Sequence, residues 1–143
     1  MRSKILLLCI AALFAGCATT LPAISDLKPI PEDRRFAGRA PVEGGATLTV
    51  LRDKSFAGSA VDYRIFVDGQ LSAQLAWGEF VLLHIASGER VIEVRHPSAL
   101  LGAIGDSATL RAEAAGKYFY RINSDLGQIR LLRTTEESVT SSQ

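Results

Sequence analysis

Arg64, Arg90, Arg95, Arg111, Arg121, Arg130 and Arg133, with His84 and His96, are the side chains whose types and spacing could do chemistry in this chain. Guanidinium forks match carboxylates and phosphates in a two-pronged geometry. Three or four of these arginines on one face would bind an anionic envelope polymer such as peptidoglycan or lipopolysaccharide. The plainer reading is the solvated face of a sheet, its arginines cross-paired with Asp62, Glu93 and Glu113. Two histidines need two further ligands to hold a zinc-like ion, and none stands at useful spacing, so no metal and no cofactor is expected. Serine catalysis needs a base beside the nucleophile and an oxyanion hole. Ser55, Ser59 and Ser87 sit in turn-like stretches, where serine is ordinary turn chemistry, and no GxSxG occurs. Gly102 and Gly105 precede no helix-like pattern, so a phosphate cradle is not indicated. The expectation is a protein that is not an enzyme.

One further cluster is apolar. Leu100, Leu101 and Ile104, together with Trp77, read as an exposed tip that could contact an envelope protein partner. A loop folding its leucines over the open end of a sandwich fits the same residues.

Cys9 and Cys17 both lie in the first 17 residues, which excludes a disulfide framework. Arg2 and Lys4 precede an apolar run over residues 5–14, too short to span a bilayer, which takes about 20 apolar residues. This is the pattern of an export signal. It closes in Leu13-Phe14-Ala15-Gly16-Cys17, which resembles the lipobox of bacterial lipoproteins, although Phe14 stands where leucine is usual. The resemblance implies cleavage after residue 16, acylation of Cys17 and attachment to the membrane without spanning it. Ala18, where retained lipoproteins often carry Asp, implies sorting to the outer membrane, with the domain in the periplasm. An ordinary secretory signal with a chance cysteine is the alternative.

Residues 17–45 hold Pro22, Pro29, Pro31 and Pro41 and end in Gly44-Gly45. Proline fixes φ and removes a donor, so this stretch is expected to be an extended linker. Its 28 residues after Cys17 would reach about 85 Å if wholly polyproline-like. The alternative is a tail whose Ile30 and Phe36 partly pack on the domain.

Residues 46–133 carry strand patterns. Residues 46–52 alternate in β-formers. Val61, Tyr63, Ile65 and Val67 share one face, and Asp68-Gly69 supplies the positive φ angles of a type I′ hairpin, with Leu71, Ala73 and Leu75 returning. Residues 80–85 are apolar on both faces and read as a central strand buried by a second layer. Ser87-Gly88 is expected to turn the chain so that residues 90–95 pair back, with Ile92 and Val94 inward. Pro97 ends that strand. Residues 108–112, 118–122 and 128–133 complete the set, with a turn at Ala115-Gly116-Lys117. The fold class is all-β: an antiparallel sandwich of seven to eight strands, immunoglobulin- or prealbumin-like. Residues 134–143 are polar and expected to be disordered. A net charge of +1 with 22% charged residues excludes the basic excess of a nucleic-acid binder.

Three stretches carry a further resemblance: FAGSAVDYRIFVDG at residues 56–69, the run over 80–94 around Gly88, and AGKYFY at 115–120. Together they resemble the family named domain of unknown function 2846, over about residues 46–133. That family consists mainly of bacterial envelope lipoproteins with a small β-sandwich, loosely similar to PEGA modules. Where it often has Pro-Pro before the glycine and His two residues after it, this chain has Ala86-Ser87 and Arg90. The resemblance implies a fold and an address, and no chemistry.

Overall fold

The computed structural model describes residues 22–54, 60–98, 105–125 and 128–140. These form nine strands: β1 (Lys28–Pro29), β2 (Ala46–Arg52), β3 (Tyr63–Val67), β4 (Gln70–Leu75), β5 (Glu79–Ile85), β6 (Gly88–Arg95), β7 (Gly105–Ala112), β8 (Lys117–Asp125) and β9 (Gln128–Thr134), followed by a short helix α1 (Glu136–Thr140). The architecture is an all-β sandwich. One sheet runs β1-β5-β2-β8-β9 and the other β4-β3-β6-β7. Most pairs are antiparallel, but β2 runs parallel to β8 and β1 parallel to β5.

Period-two alternation builds the interior. Leu48 and Val50 of β2, Ile65 of β3, Leu75 of β4, Leu83 of β5, Ile92 and Val94 of β6 and Ile122 of β8 are almost fully buried in one continuous cluster. Burying each such side chain contributes about 1.5–3 kcal/mol. The β3–β4 hairpin forms as its sequence dictates, with Asp68 at φ 51° and Gly69 at φ 78° between the two strands. A register shift between Ile65 and Phe66 lets Phe66 leave the alternation.

Two strand expectations are corrected. The segment 80–85 is not the strand buried from both sides: Leu82 is exposed, and β5 has only the two-residue β1 on its outer edge. The doubly buried strand is β2, whose Leu51 is fully covered on the outer face of the sheet. Nor does β6 pair back onto β5. Gly88, at φ 103°, carries the chain from one sheet to the other, where β6 pairs with β3 and β7. A serine-glycine pair announces a change of direction but does not specify the partner, and β2 takes the place beside β5.

The expected linker over 17–45 is also corrected for its described part. Ala23, Leu27 and Ile30 are buried, and the segment lies on the sandwich as a strap. Lys28 and Ile30 donate to the carbonyls of Gly78 and Phe80, each at 3.0 Å, on the β5 side. Further on, Phe36 and Ala37 donate to Ser72 of β4 at 2.9 and 3.2 Å. The strap thus closes the seam between the edge strands β5 and β4 of the two sheets. An extended, proline-bearing backbone has its remaining N–H and C=O groups free, which is what a sheet edge can accept. Of the two residues expected to pack, Ile30 enters the core whereas Phe36 stays half exposed.

The expectation of a disordered tail is corrected for its described part, in which Glu136–Thr140 form α1. Val139 of α1 is wholly buried against Leu27 and Leu51, with Ile24, Phe80 and Phe119 around them. The first and last described segments therefore cover the outer face of the five-stranded sheet together. A single apolar side chain in a polar tail is enough to dock it there.

Candidate functional site

The end of the sandwich where β2 finishes gathers most of its buried charge. By parity with Leu48 and Val50, Arg52 points into the core. It is 1% exposed, donates to the carbonyls of Val61 and Leu75 at 2.7 Å each, and stacks 3.7 Å above the ring of Tyr63. Those carbonyls and the π face replace water around the guanidinium. Burial still pushes its pKa below the ordinary arginine value.

On the opposite side of the same sheet, the parallel register of β2 and β8 sets Arg121 beside Leu51. Arg121 forms an ion pair with Asp53 and donates at 3.0 Å to the carbonyl of Pro22. Both charged groups are taken out of water. Desolvation raises the Asp53 carboxyl above its ordinary value, against the opposing pull of Arg121. A third pair braces the strap: Arg34 forks onto Glu79 at 2.8 and 2.5 Å, and Glu79 also accepts from the backbone N–H of Ala76 at 2.8 Å. The hydrogen bond to Glu79 raises Arg34 above its ordinary value.

These pairs hold the turn between β4 and β5. Trp77 projects there at 45% exposure. Gly78, at φ 73°, lies against the side-chain stem of Lys54, and its carbonyl accepts from Lys28. Lys28 and Lys54 are both exposed. Chemically the described residues of this end form an apolar, cationic tip above a set of closed ion pairs, and among them no nucleophile and base stand together.

The residues singled out from the sequence are dispersed. Cys17, Leu100 and Leu101 lie outside the described residues. Asp68 and Gly69 form the hairpin turn, and Asp68 does more. Its two carboxylate oxygens accept from Val91 N–H and from Arg90, both at 2.8 Å, which ties the turn to β6. Gly116 is needed for a close approach, since a Cβ there would sit 2.7 Å from the ring and hydroxyl of Tyr118. Arg64 and Arg95 are register partners on the outer face of the four-stranded sheet. Arg111 shares that sheet opposite Glu89. Arg95 lies 4.2 Å over Phe66 and bonds Glu93 at 2.5 Å. Arg121, expected as a contact residue, is instead 4% exposed and belongs to the clamp on Pro22. Its strand position does face outward, but residues 22–27 cover it.

His84 lies on β5 and His96 just beyond β6, in different sheets, because those strands do not pair. His96 accepts from Ser98 N–H at 3.1 Å. No group of three or more His, Cys, Asp or Glu side chains is placed to hold a metal ion among the described residues. A recess of about 200 Å³ at the far end is lined by Gly38, Asp68, Ser72, His84 and Arg90. It is smaller than the roughly 300–1,000 Å³ of a usual ligand pocket.

Sequence reading missed Arg52 and Asp53. Parity already pointed Arg52 inward; nothing local announces that Arg121 would travel to Asp53 and Pro22. Comparison of the chain with protein-family models, with curated proteins and with solved structures found no match. Among the described residues no helix is long and apolar enough to cross a membrane.

Proposed function

We propose that this chain is a bacterial envelope lipoprotein, anchored through Cys17 at the outer membrane, whose β-sandwich serves in the periplasm as an interaction module and not as an enzyme. The observation that carries this reading is the continuity of signal, cysteine and fold. A signal-like stretch ends at Cys17, and Pro22, only five residues later, is clamped to the sandwich by Arg121. The ionised groups of the domain support it further, because Arg34–Glu79, Arg121–Asp53 and Arg90–Asp68 are structural pairs. The same reading includes membership of the family named domain of unknown function 2846, supported by the residues 56–69, 80–94 and 115–120. Membrane fractionation of the full-length protein and of Cys17→Ser, with mass spectrometry of the N-terminal peptide, tests the anchor. Acyl chains on Cys17 and release of the variant to the soluble fraction are the expected results. Retention of Cys17→Ser in the membrane would overturn the reading.

A second reading, an anionic-polymer binder, is favoured by the register pairing of Arg64 with Arg95 on one exposed face that also carries Arg111. Two guanidinium groups directly opposite repel each other, and a bound phosphate or carboxylate would relieve that. Binding to isolated sacculi or lipopolysaccharide should then weaken as salt is raised and vanish in Arg64→Gln/Arg95→Gln. Binding indifferent to both would exclude this use of the face.

A further inference from the structure

The lipid anchor proposed at Cys17 has a consequence for how the domain stands, and the inference here rests on that reading. Five residue steps separate Cys17 from Pro22, which is fixed to the sandwich by the Arg121 hydrogen bond. Fully extended they span about 17 Å, against about 30 Å for the nine residues of β8. The leash is therefore short compared with the domain, and Pro22 stays near the headgroups.

Connections along the chain define what else lies at that end. Pro22 is held by Arg121, Arg121 pairs with Asp53, and the next residue, Lys54, packs its stem on Gly78 beside Trp77. Lys28 is bonded to Gly78 from the other side. The exposed Trp77 thus adjoins Gly78, which Lys28 bonds through its backbone N–H and Lys54 touches with its side-chain stem, and both lysines are exposed. Tryptophan settles at the level of lipid headgroups because its ring is apolar and its N–H polar. Lysine stems lie along apolar surface while their heads reach phosphates, and each such lysine adds attraction to an anionic bilayer surface. The opposite end, where Gly45 and Ala115 bond each other and Val42 is exposed, has no link to the anchor.

We propose that the Pro22–Lys54–Trp77 end of the sandwich rests on the bilayer that holds the acyl chains, with Trp77 in the headgroup layer and Lys28 and Lys54 on phospholipid phosphates. The far end at Val42 is then turned to the periplasm and remains free for a partner.

Trp77 is the chain's one tryptophan, so its fluorescence reports this placement directly. The lipidated full-length protein would be reconstituted into vesicles of phosphatidylethanolamine and phosphatidylglycerol, with and without phospholipid brominated near the top of the acyl chain. The expected result is a blue-shifted emission that loses most of its intensity on bromolipid. Lys28→Glu/Lys54→Glu should reduce the quenching while the protein stays vesicle-bound. A Trp77→Phe/Val42→Trp protein, altered only at exposed positions, should show neither shift nor quenching. Lipidated, vesicle-bound protein whose Trp77 emission matches that of soluble Cys17→Ser overturns the orientation and leaves the anchor standing, as does stronger quenching at position 42. Absence of acyl mass on Cys17 overturns the anchor, and the orientation with it.

Discussion

Arg121 of β8 donates at 3.0 Å to the carbonyl of Pro22, ninety-nine residues earlier in the chain. Its other terminal nitrogen holds Asp53, and only 4% of the residue is exposed. Removing one partner of a buried pair strands the other charge, at a cost of about 3–5 kcal/mol. Arg121→Ala should therefore lower the urea midpoint strongly and speed hydrogen exchange over residues 22–27. A midpoint within error of wild type would show that the clamp holds nothing.

Asp53 makes a prediction with a definite sign. Its carboxyl is raised because burial outweighs Arg121, so the folded state binds the proton more tightly than the unfolded chain. The stability contributed by this group is then fully present below the unfolded value of 3.8 and is lost as the pH rises through the folded value. Wild type should gain stability relative to Asp53→Asn as the pH falls from neutrality towards 3.8. Denaturation curves of both proteins across that range test it, and a relative loss on acidification would mean that Arg121 dominates the carboxyl.

Val139 docks the tail against Leu27 and Leu51 on the outer face of β2. Val139→Ala removes about two methylene equivalents from a fully enclosed site, worth about 2 kcal/mol. A chain ending after Thr134 should lose at least as much and become sensitive to proteolysis in residues 22–30. If truncation leaves both stability and cleavage unchanged, the helix adds nothing to the cover.

What was legible in the sequence follows how local each instruction is. The β3–β4 hairpin was legible because Asp68-Gly69 needs no partner beyond its neighbours to reach positive φ. The inward faces of β3 and β6, with Tyr63 and Ile65 and with Ile92 and Val94, were legible because parity depends only on the strand itself. Pairing was not: whether β6 joins β5 or β3 depends on residues far apart in the chain. The strap was hidden for a related reason. Its prolines specify an extended backbone, and the same backbone serves a free linker or a sheet edge; the difference lies in the open edges of β5 and β4. Arg121 was read as one of several surface arginines; its strand position does face outward, but the first described segment, held through the Pro22 carbonyl, covers it.

Asp68 combines two roles that substitution separates. Asp68→Gly keeps the positive φ but deletes the carboxylate that receives Val91 N–H and Arg90. The site is partly solvated, so the loss should be only about 1 kcal/mol. Asp68→Asn retains the turn and one acceptor and should fall between. Equal stability of wild type and Asp68→Gly would confine Asp68 to the turn.

Ala115 adopts φ 59°, the left-handed region, in the turn before β8, while its N–H donates to Gly45 at 2.7 Å. For a residue with a Cβ this conformation costs roughly 1–2 kcal/mol. Glycine removes that strain but loses more backbone entropy on folding. Ala115→Gly should therefore stabilise the domain by about 0.5–1 kcal/mol, whereas Gly116→Ala should destabilise it, because the added carbon meets Tyr118 at 2.7 Å. Thermal denaturation of the two variants checks a pair of opposite shifts at adjacent positions. Destabilisation by both would mean that Ala115 is held at positive φ by contacts that compensate the strain.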